Sequence, residues 1–254
     1  MIAIAGMQCV EVHSGGPADG GGGGGAVDLG VLLMHGYGAD PSQFTQIVDL
    51  LVQAQPALRQ KRIRWVFPAA PTQNGPAGSE WFPLDIPSWM MAFMGGQDVL
   101  AGKLRETPAG IKEASEAVVG LLKELVRTTP AGAAGESLGK WLVGGFSQGA
   151  MMTVDVCSRL DESPAGMLIL SGMPMNINEW AAGMAKHKDK GVKVLQLHGR
   201  ADMTCPFAAS GWLRDLVGNG VGSSCLTYHA HSGAHDMGGM TEIKMIADYV
   251  ASLA

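Results

Sequence analysis

Residues 145–149, Gly-Phe-Ser-Gln-Gly, set one serine between two glycines, after an apolar run and ahead of a string of small residues. A serine in a G-x-S-x-G frame is a candidate nucleophile for acyl transfer. The reason is steric. A strand that turns sharply into a helix forces the middle residue into strained backbone angles, and side chains two before and two after it would collide, so glycine stands at both places. The helix N-terminus beneath the hydroxyl favours negative charge developing there. In a chain with 37 glycines the five-residue pattern carries little weight alone. Its surroundings strengthen it: Trp141–Val143 reads as a strand and Gln148–Leu160 as a helix, the setting the motif requires. The plain alternative is a strand-to-helix turn with Ser147 as its N-cap.

A serine nucleophile needs a base, and the base needs an orienting carboxylate. Both are expected just past the C-terminal ends of later strands, where open α/β sheets bind ligands. The strand-like run Val192–Leu197 leads into HGRADMTCP, which places Asp202 in the following loop; Asp155, Asp161 and Asp215 fall in or at the ends of helices, and Asp189 precedes the strand. The strand Cys225–His229 runs out through HAHSGAHDM, where His229, His231 and His235 compete. The first two continue the strand. His235 follows Ser232-Gly233, ahead of the last helix, and is preferred for that position. His187 stands among lysines and reads as solvated. With no supporting acidic or thiolate set, the histidine cluster does not make a metal site. Backbone donors for an oxyanion are expected from Gln148, the residue after the serine, and from Tyr37 in the turn HGYG at 35–38; His35 reads as a residue that orders this turn.

The elements that position these groups alternate. Val31–Met34 and Arg64–Phe67 read as strands, with a helix between them starting at Asp40-Pro41 in which Ile47, Leu50 and Leu51 recur at helical spacing. Gly20–Gly25 reads as a flexible loop. Residues 71–107 read as one long irregular, lid-like segment. Within it Trp81, Phe82, Trp89, Met90, Met91 and Met94, with Met173 further on, are candidates for an apolar wall over the site; the alternative is that they pack the segment onto the body. Thr107-Pro108 reads as the cap of a helix whose apolar face is Ile111, Ala114, Val118, Leu121, Leu122 and Leu125. A strand at Met167–Leu170 and helices at Phe207–Val217 and Thr241–Leu253 complete the pattern, with Trp65, Trp141 and Trp212 expected in the core. Strands alternating with helices imply an α/β fold with a mostly parallel central sheet and helices on both faces.

Composition narrows the function. The chain has 254 residues and a formal net charge of -5, with 18 Lys plus Arg against 23 Asp plus Glu, which excludes the basic footprint of a nucleic-acid binder. Charged residues make up 16%, below the usual quarter, which favours a neutral or apolar ligand. The four cysteines, Cys9, Cys157, Cys205 and Cys225, form no CxxC pair and fit free thiols in a reducing compartment. The N-terminus lacks the basic start of a signal peptide, and no apolar run reaches membrane-spanning length. The expectation is a single cytoplasmic domain over 1–254, without stable membrane insertion, monomeric or homodimeric, that acts on a small molecule with no metal or organic cofactor.

With these pieces in place the chain resembles the phospholipase/carboxylesterase family of α/β-hydrolases, which includes bacterial carboxylesterases and eukaryotic acyl-protein thioesterases. The resemblance rests on LMHGYGAD (33–40), FPAAP (67–71), WF (81–82), GFSQGA (145–150), LHGRAD (197–202) and GAHDM (233–237), in family order. It implies Ser147 as nucleophile, Asp202 as acid, His235 as base, and Tyr37 and Gln148 as oxyanion donors. The chain departs from the pattern in Met34 where leucine is usual, in GFSQGAM, which lacks the second glycine common in the thioesterases, in the Gly20–Gly25 run, and across Pro83–Gly102. The implied activity is hydrolysis of short- to medium-chain carboxylic esters, with lysophospholipase or acyl-protein thioesterase activity as the alternative. A silent ligand-binding member is a more remote reading, and the chain has no room for the extra domain of a related peptidase.

Overall fold

Continuous apolar runs in the strands demand cover on both faces of the sheet, and the computed structural model, which describes residues 1–16, 26–75, 78–130 and 133–254, provides it. The Gly20–Gly25 run lies outside the described residues. The strands are β1 (Ile2–Ile4), β2 (Met7–Ser14), β3 (Leu29–Met34), β4 (Ile63–Pro68), β5 (Thr72–Gly75), β6 (Gly78–Glu80), β7 (Trp141–Phe146), β8 (Gly166–Leu170), β9 (Lys193–Gly199) and β10 (Leu226–His231). The helices are α1 (Pro41–Phe44), α2 (Ile47–Ala54), α3 (Ile86–Met94), α4 (Gln97–Arg105), α5 (Ile111–Thr128), α6 (Ala133–Glu136), α7 (Gln148–Arg159), α8 (Ile177–Met184), α9 (Phe207–Val221) and α10 (Met240–Ala251).

Eight strands form one sheet in the order β1-β2-β4-β3-β7-β8-β9-β10. The β1–β2 and β2–β4 pairings are antiparallel and the others parallel. β3 shows why the run is apolar throughout. Its even residues Leu32 and Met34 join α5, α7, α8 and α9 in one core, while Val31 and Leu33 join α2 and α10 in the other. Arg64 is the charged exception inside β4. Its guanidinium donates to both carboxylate oxygens of Glu11 (3.1 Å each) and to Thr129 Oγ1 (2.7 Å), so the buried charge is paired, as burial requires. Among the described residues no helix is long and apolar enough to cross a membrane.

α7 is the central helix. Every residue from Gln148 to Ser158 is buried, because it lies against the sheet and beneath both α5 and α8. Its buried polar groups are answered where they lie: Thr153 Oγ1 donates to the Gly149 carbonyl (2.9 Å), and Asp155 accepts from Arg159 (2.6 Å) and Trp180 (2.7 Å).

Several expectations are corrected. Residues 71–107 are not irregular: they fold into the β5–β6 hairpin followed by α3 and α4. Asp85 caps α3, its Oδ1 accepting from the Ser88 N–H at 3.1 Å, and Pro87 sits in the first turn. The Ile86–Met94 run is apolar all round, so no helical period stands out in it. Thr107 does not cap α5, which starts at Ile111 behind Gly110 in the left-handed region (φ 79°); the Thr107 hydroxyl donates instead to Asn176 Oδ1 (3.0 Å). Trp212 is exposed rather than core. His187 is fully buried, not solvated, with its ring nitrogens at 2.8 Å from Ser163 Oγ and 2.7 Å from the Cys157 carbonyl.

The sheet centre tolerates no extra atom at Gly30, where a side chain would run into the Trp141 indole, itself fixed by a 2.8 Å bond from Nε1 to the Ala134 carbonyl. Gly120, on the exposed face of α5, has open space around its α-carbon. Gly30→Ala is expected to lower unfolding stability by about 1–3 kcal/mol, and Gly120→Ala to raise it by roughly 0.5–1 kcal/mol. Urea denaturation of the two variants measures both.

Candidate active site

β7 ends at Phe146 and α7 begins at Gln148, which leaves Ser147 alone in the turn. Its backbone sits at φ 56° and ψ −117°, a strained conformation for a residue with a Cβ. The packing imposes it. A side chain on Gly145 would strike the Gly149 backbone, and one on Gly149 would strike the Met34 carbonyl at the end of β3. The turn is then held by hydrogen bonds from Ser147 N–H to the Leu170 carbonyl (2.9 Å) and from the Ala150 and Met151 N–H groups to the Ser147 carbonyl (3.0 and 3.1 Å). Ser147 occupies the N-cap position, yet its side chain makes no capping bond. The hydroxyl points elsewhere.

It meets His235. Ser147 Oγ lies 2.8 Å from His235 Nε2, and His235 Nδ1 lies 2.8 Å from Asp202 Oδ2. These residues are 88 and 33 positions apart in the chain. Two loops bring them together, one after β9 and one after β10. The loops touch at Gly199, where a side chain would collide with the carbonyls of Gly233 and Ala234. Bonds from Ala201 N–H to the Gly233 carbonyl (3.0 Å) and from Ser171 Oγ to the Asp236 carbonyl (2.9 Å) fix the His235 loop. The other histidines of the sequence cluster stay on β10: His229 bonds Glu242 (3.0 Å), and His231 is buried and accepts from the Gly233 N–H (3.1 Å).

Asp202 is almost wholly buried. Burial alone would raise its carboxyl pKa, but the His235 hydrogen bond, the Cys205 N–H and the nearby imidazoles outweigh it and hold the group below the usual carboxylate range. Oδ1 accepts from the N–H groups of Thr204 (2.9 Å) and Cys205 (2.8 Å). With the carboxylate ionised, His235 Nδ1 carries the proton that it donates, which leaves Nε2 free to accept from the serine.

His198 is a further member that sequence reasoning did not single out. It is buried at the end of β9, with Nε2 2.8 Å from the Cys205 carbonyl and 3.3 Å from Asp202 Oδ2. Both neighbours are acceptors, so Nε2 is the protonated nitrogen; Nδ1 has no hydrogen-bond partner among the described residues. Burial lowers its pKa, and it acts as a fixed neutral donor beside the carboxylate. The available signal was its position, four residues before Asp202 in LHGRAD.

The loop after β3 runs past the serine. A methyl group on Gly36 would stand 3.4 Å from Ser147 Cβ, which puts the Tyr37 backbone next in line. His35 is buried and orders this loop: its Nδ1 lies 2.8 Å from the Gly36 carbonyl and its Nε2 accepts from the Ala70 N–H (3.2 Å). The Gln148 N–H opens α7 and so falls outside the ladder of the helix. The Gln148 side chain has a different task. It accepts from the Trp81 N–H (3.0 Å) and donates to the Phe82 carbonyl (2.7 Å), locking residues 81–82 against the serine turn.

Residues 25–251 match the phospholipase/carboxylesterase family. The chain belongs to that family. It is 23% identical over 220 residues to acyl-protein thioesterase 1 of Yarrowia lipolytica, covering 87% of this chain and 89% of the relative. In structure it is similar to esterase PE8, with a TM-score of 0.72, 23% identity and coverage of 98% and 99% of the two chains. It is also similar to acyl-protein thioesterase 2 of Zea mays, with a TM-score of 0.64, 18% identity and coverage of 97% and 98%. The fold is the α/β-hydrolase fold, and the protein is a hydrolase of the esterase/thioesterase class.

In this family member the remaining wall candidates divide. Trp81, Phe82, Trp89 and Met173 are buried, whereas Met90, Met91 and Met94 lie open on the outer side of α3, the last 84% exposed. α3 therefore turns Trp89 and Ala92 inward and its methionines outward. A cleft of about 390 Å³ opens beside Tyr37, with Pro83, Leu84 and Trp89 in its wall.

Because Asp202 titrates lower in the fold than its unfolded value of about 3.9, ionised Asp202 stabilises the protein above roughly pH 4, and that contribution is lost as pH falls through the folded value. Asp202→Asn removes the titration. The stability gap between the protein and this variant, read from urea midpoints, is expected to narrow as pH falls from about 5 to below about 4. A gap that widens over that interval contradicts the account.

Proposed function

We propose that the protein is a serine carboxylesterase acting on short- to medium-chain esters through an acyl-enzyme. The observation that carries this reading is the unbroken chain of contacts from Ser147 Oγ through both His235 nitrogens to Asp202, with 2.8 Å at each step. His235 Nε2 takes the hydroxyl proton as Oγ attacks the ester carbonyl carbon, and Asp202 stabilises the imidazolium that forms. The carbonyl oxygen becomes an oxyanion facing the N–H groups of Gln148 and Tyr37, donors that need no reorganisation at that moment. The imidazolium then passes its proton to the leaving alcohol as the carbon–oxygen bond breaks. A water, deprotonated in turn by His235, attacks the acyl-Ser147 and releases the acid. The Leu84 and Trp89 wall of the cleft supports an acyl chain of modest length.

The same steps cleave a thioester, with a thiol leaving in place of the alcohol. The printed name of the Yarrowia relative, an acyl-protein thioesterase, favours this second reading. p-Nitrophenyl esters of increasing chain length, run beside an acyl thioester and a lysophospholipid, separate the two; the first reading expects the highest kcat/KM on the short and medium esters. Ser147→Ala is expected to lower kcat by roughly 10⁶-fold. Ester hydrolysis retained in that variant, with the fold intact by circular dichroism, removes Ser147 from the mechanism.

A further inference from the structure

Glu80 is a carboxylate in an unusual place. It ends β6 and is only 4% exposed, and its Oε2 has no hydrogen-bond partner among the described residues. Leaving a carboxylate oxygen buried and unpaired is costly, and such a group is kept in place where something else completes it. Its position says what. Glu80 lines the cleft beside Tyr37, whose loop borders Ser147. It also directly precedes Trp81, the residue whose N–H is bonded to Gln148.

The charged groups of the lining are mostly acidic. Glu80, Asp85 and Glu106 face the cleft with Lys103 as the cation among them. Lys103 is engaged with Glu106 at 2.6 Å and sits 5.5 Å above the Trp89 ring, and one Asp85 oxygen is taken up by the N-cap of α3. Glu80 is left to meet a guest, with Tyr37 beside it in the lining; the Trp89 ring already carries Lys103. A buried unpaired carboxylate in a lining with an excess of acidic groups selects a cation. A quaternary alkylammonium group gains an ionic contact there, and it is less costly to desolvate than a primary ammonium, which is strongly hydrated.

We propose that this cleft is a subsite for a cationic group on the substrate, and that Glu80 makes the enzyme prefer esters bearing an alkylammonium over neutral esters of the same shape. The proposal rests on the esterase reading above and adds its substrate class. Butyrylcholine is compared with 3,3-dimethylbutyl butyrate, its uncharged isostere; the p-nitrophenyl ester of 4-(trimethylammonio)butanoate is compared with that of 5,5-dimethylhexanoate. The first pair puts the charge on the alcohol and the second on the acyl part. In at least one pair the cationic ester is expected to have about a tenfold or greater advantage in kcat/KM, and in Glu80→Gln that ratio is expected to fall toward one. Calorimetric titration with free choline reads the cleft without turnover, with saturable binding expected for the protein and loss of it in Glu80→Gln. Hydrolysis of neutral esters with no cationic advantage in either pair overturns the subsite and leaves the esterase reading standing. Choline binding with no ester hydrolysis does the reverse. If Glu80→Gln does not fold, competitive inhibition of neutral-ester hydrolysis by choline in the unaltered protein decides, and its absence overturns the proposal.

Discussion

The close approach of β3 to the turn after β7 is the constraint on which the site depends. The Met34 carbonyl lies so near Gly149, and Gly149 so near Gly145, that neither glycine position accepts a side chain. Three backbones meet where a side chain would stand. The serine between them is forced to φ 56°, and the strain is held by the hydrogen bonds of the turn and by a helix buried along nearly its whole length. Packing at the centre of the sheet thus lifts one hydroxyl off the helix it would otherwise cap and leaves it available to His235.

The second requirement is electrostatic. A buried carboxylate is tolerated only where its charge is answered, and Asp202 is answered on every side: by two backbone N–H groups, by His235, and by a neutral His198 that also binds the Cys205 carbonyl of the same loop. This donor set keeps Asp202 ionised, the ionised carboxylate fixes the proton of His235 on Nδ1, and the serine faces a bare Nε2. The loop geometry and the proton inventory are one problem solved together.

A third layer lies over the first two. Residues 81–82, between β6 and α3, lie against the serine turn, and the Gln148 side chain fastens them by bonding both Trp81 and Phe82. One residue therefore serves twice: its N–H stands at the head of α7 and its amide holds the wall of the cleft. The exposed methionines of α3 show that this wall is one helix thick, with an inner face of Trp89 and Ala92 and an outer face in solvent.

The sequence by itself determined what depends on local chemistry. The glycines around Ser147 announced a strained turn, the apolar runs announced strands covered on both faces, and the motif order identified the family. Residues 71–107 were not legible, because a short helix apolar all round carries no period to read, and its cap, Asp85, is a lone residue among prolines. Nor did sequence expose the burial of His187 among lysines or the role of His198, since both depend on contacts with distant carbonyls and carboxylates. Which histidine of the cluster meets the serine was a matter of position along the chain in the sequence and of distance in space in the fold. Only the tertiary structure decided that, because convergence of residues 88 apart is set by how two loops touch at Gly199 and by no property of the residues taken singly.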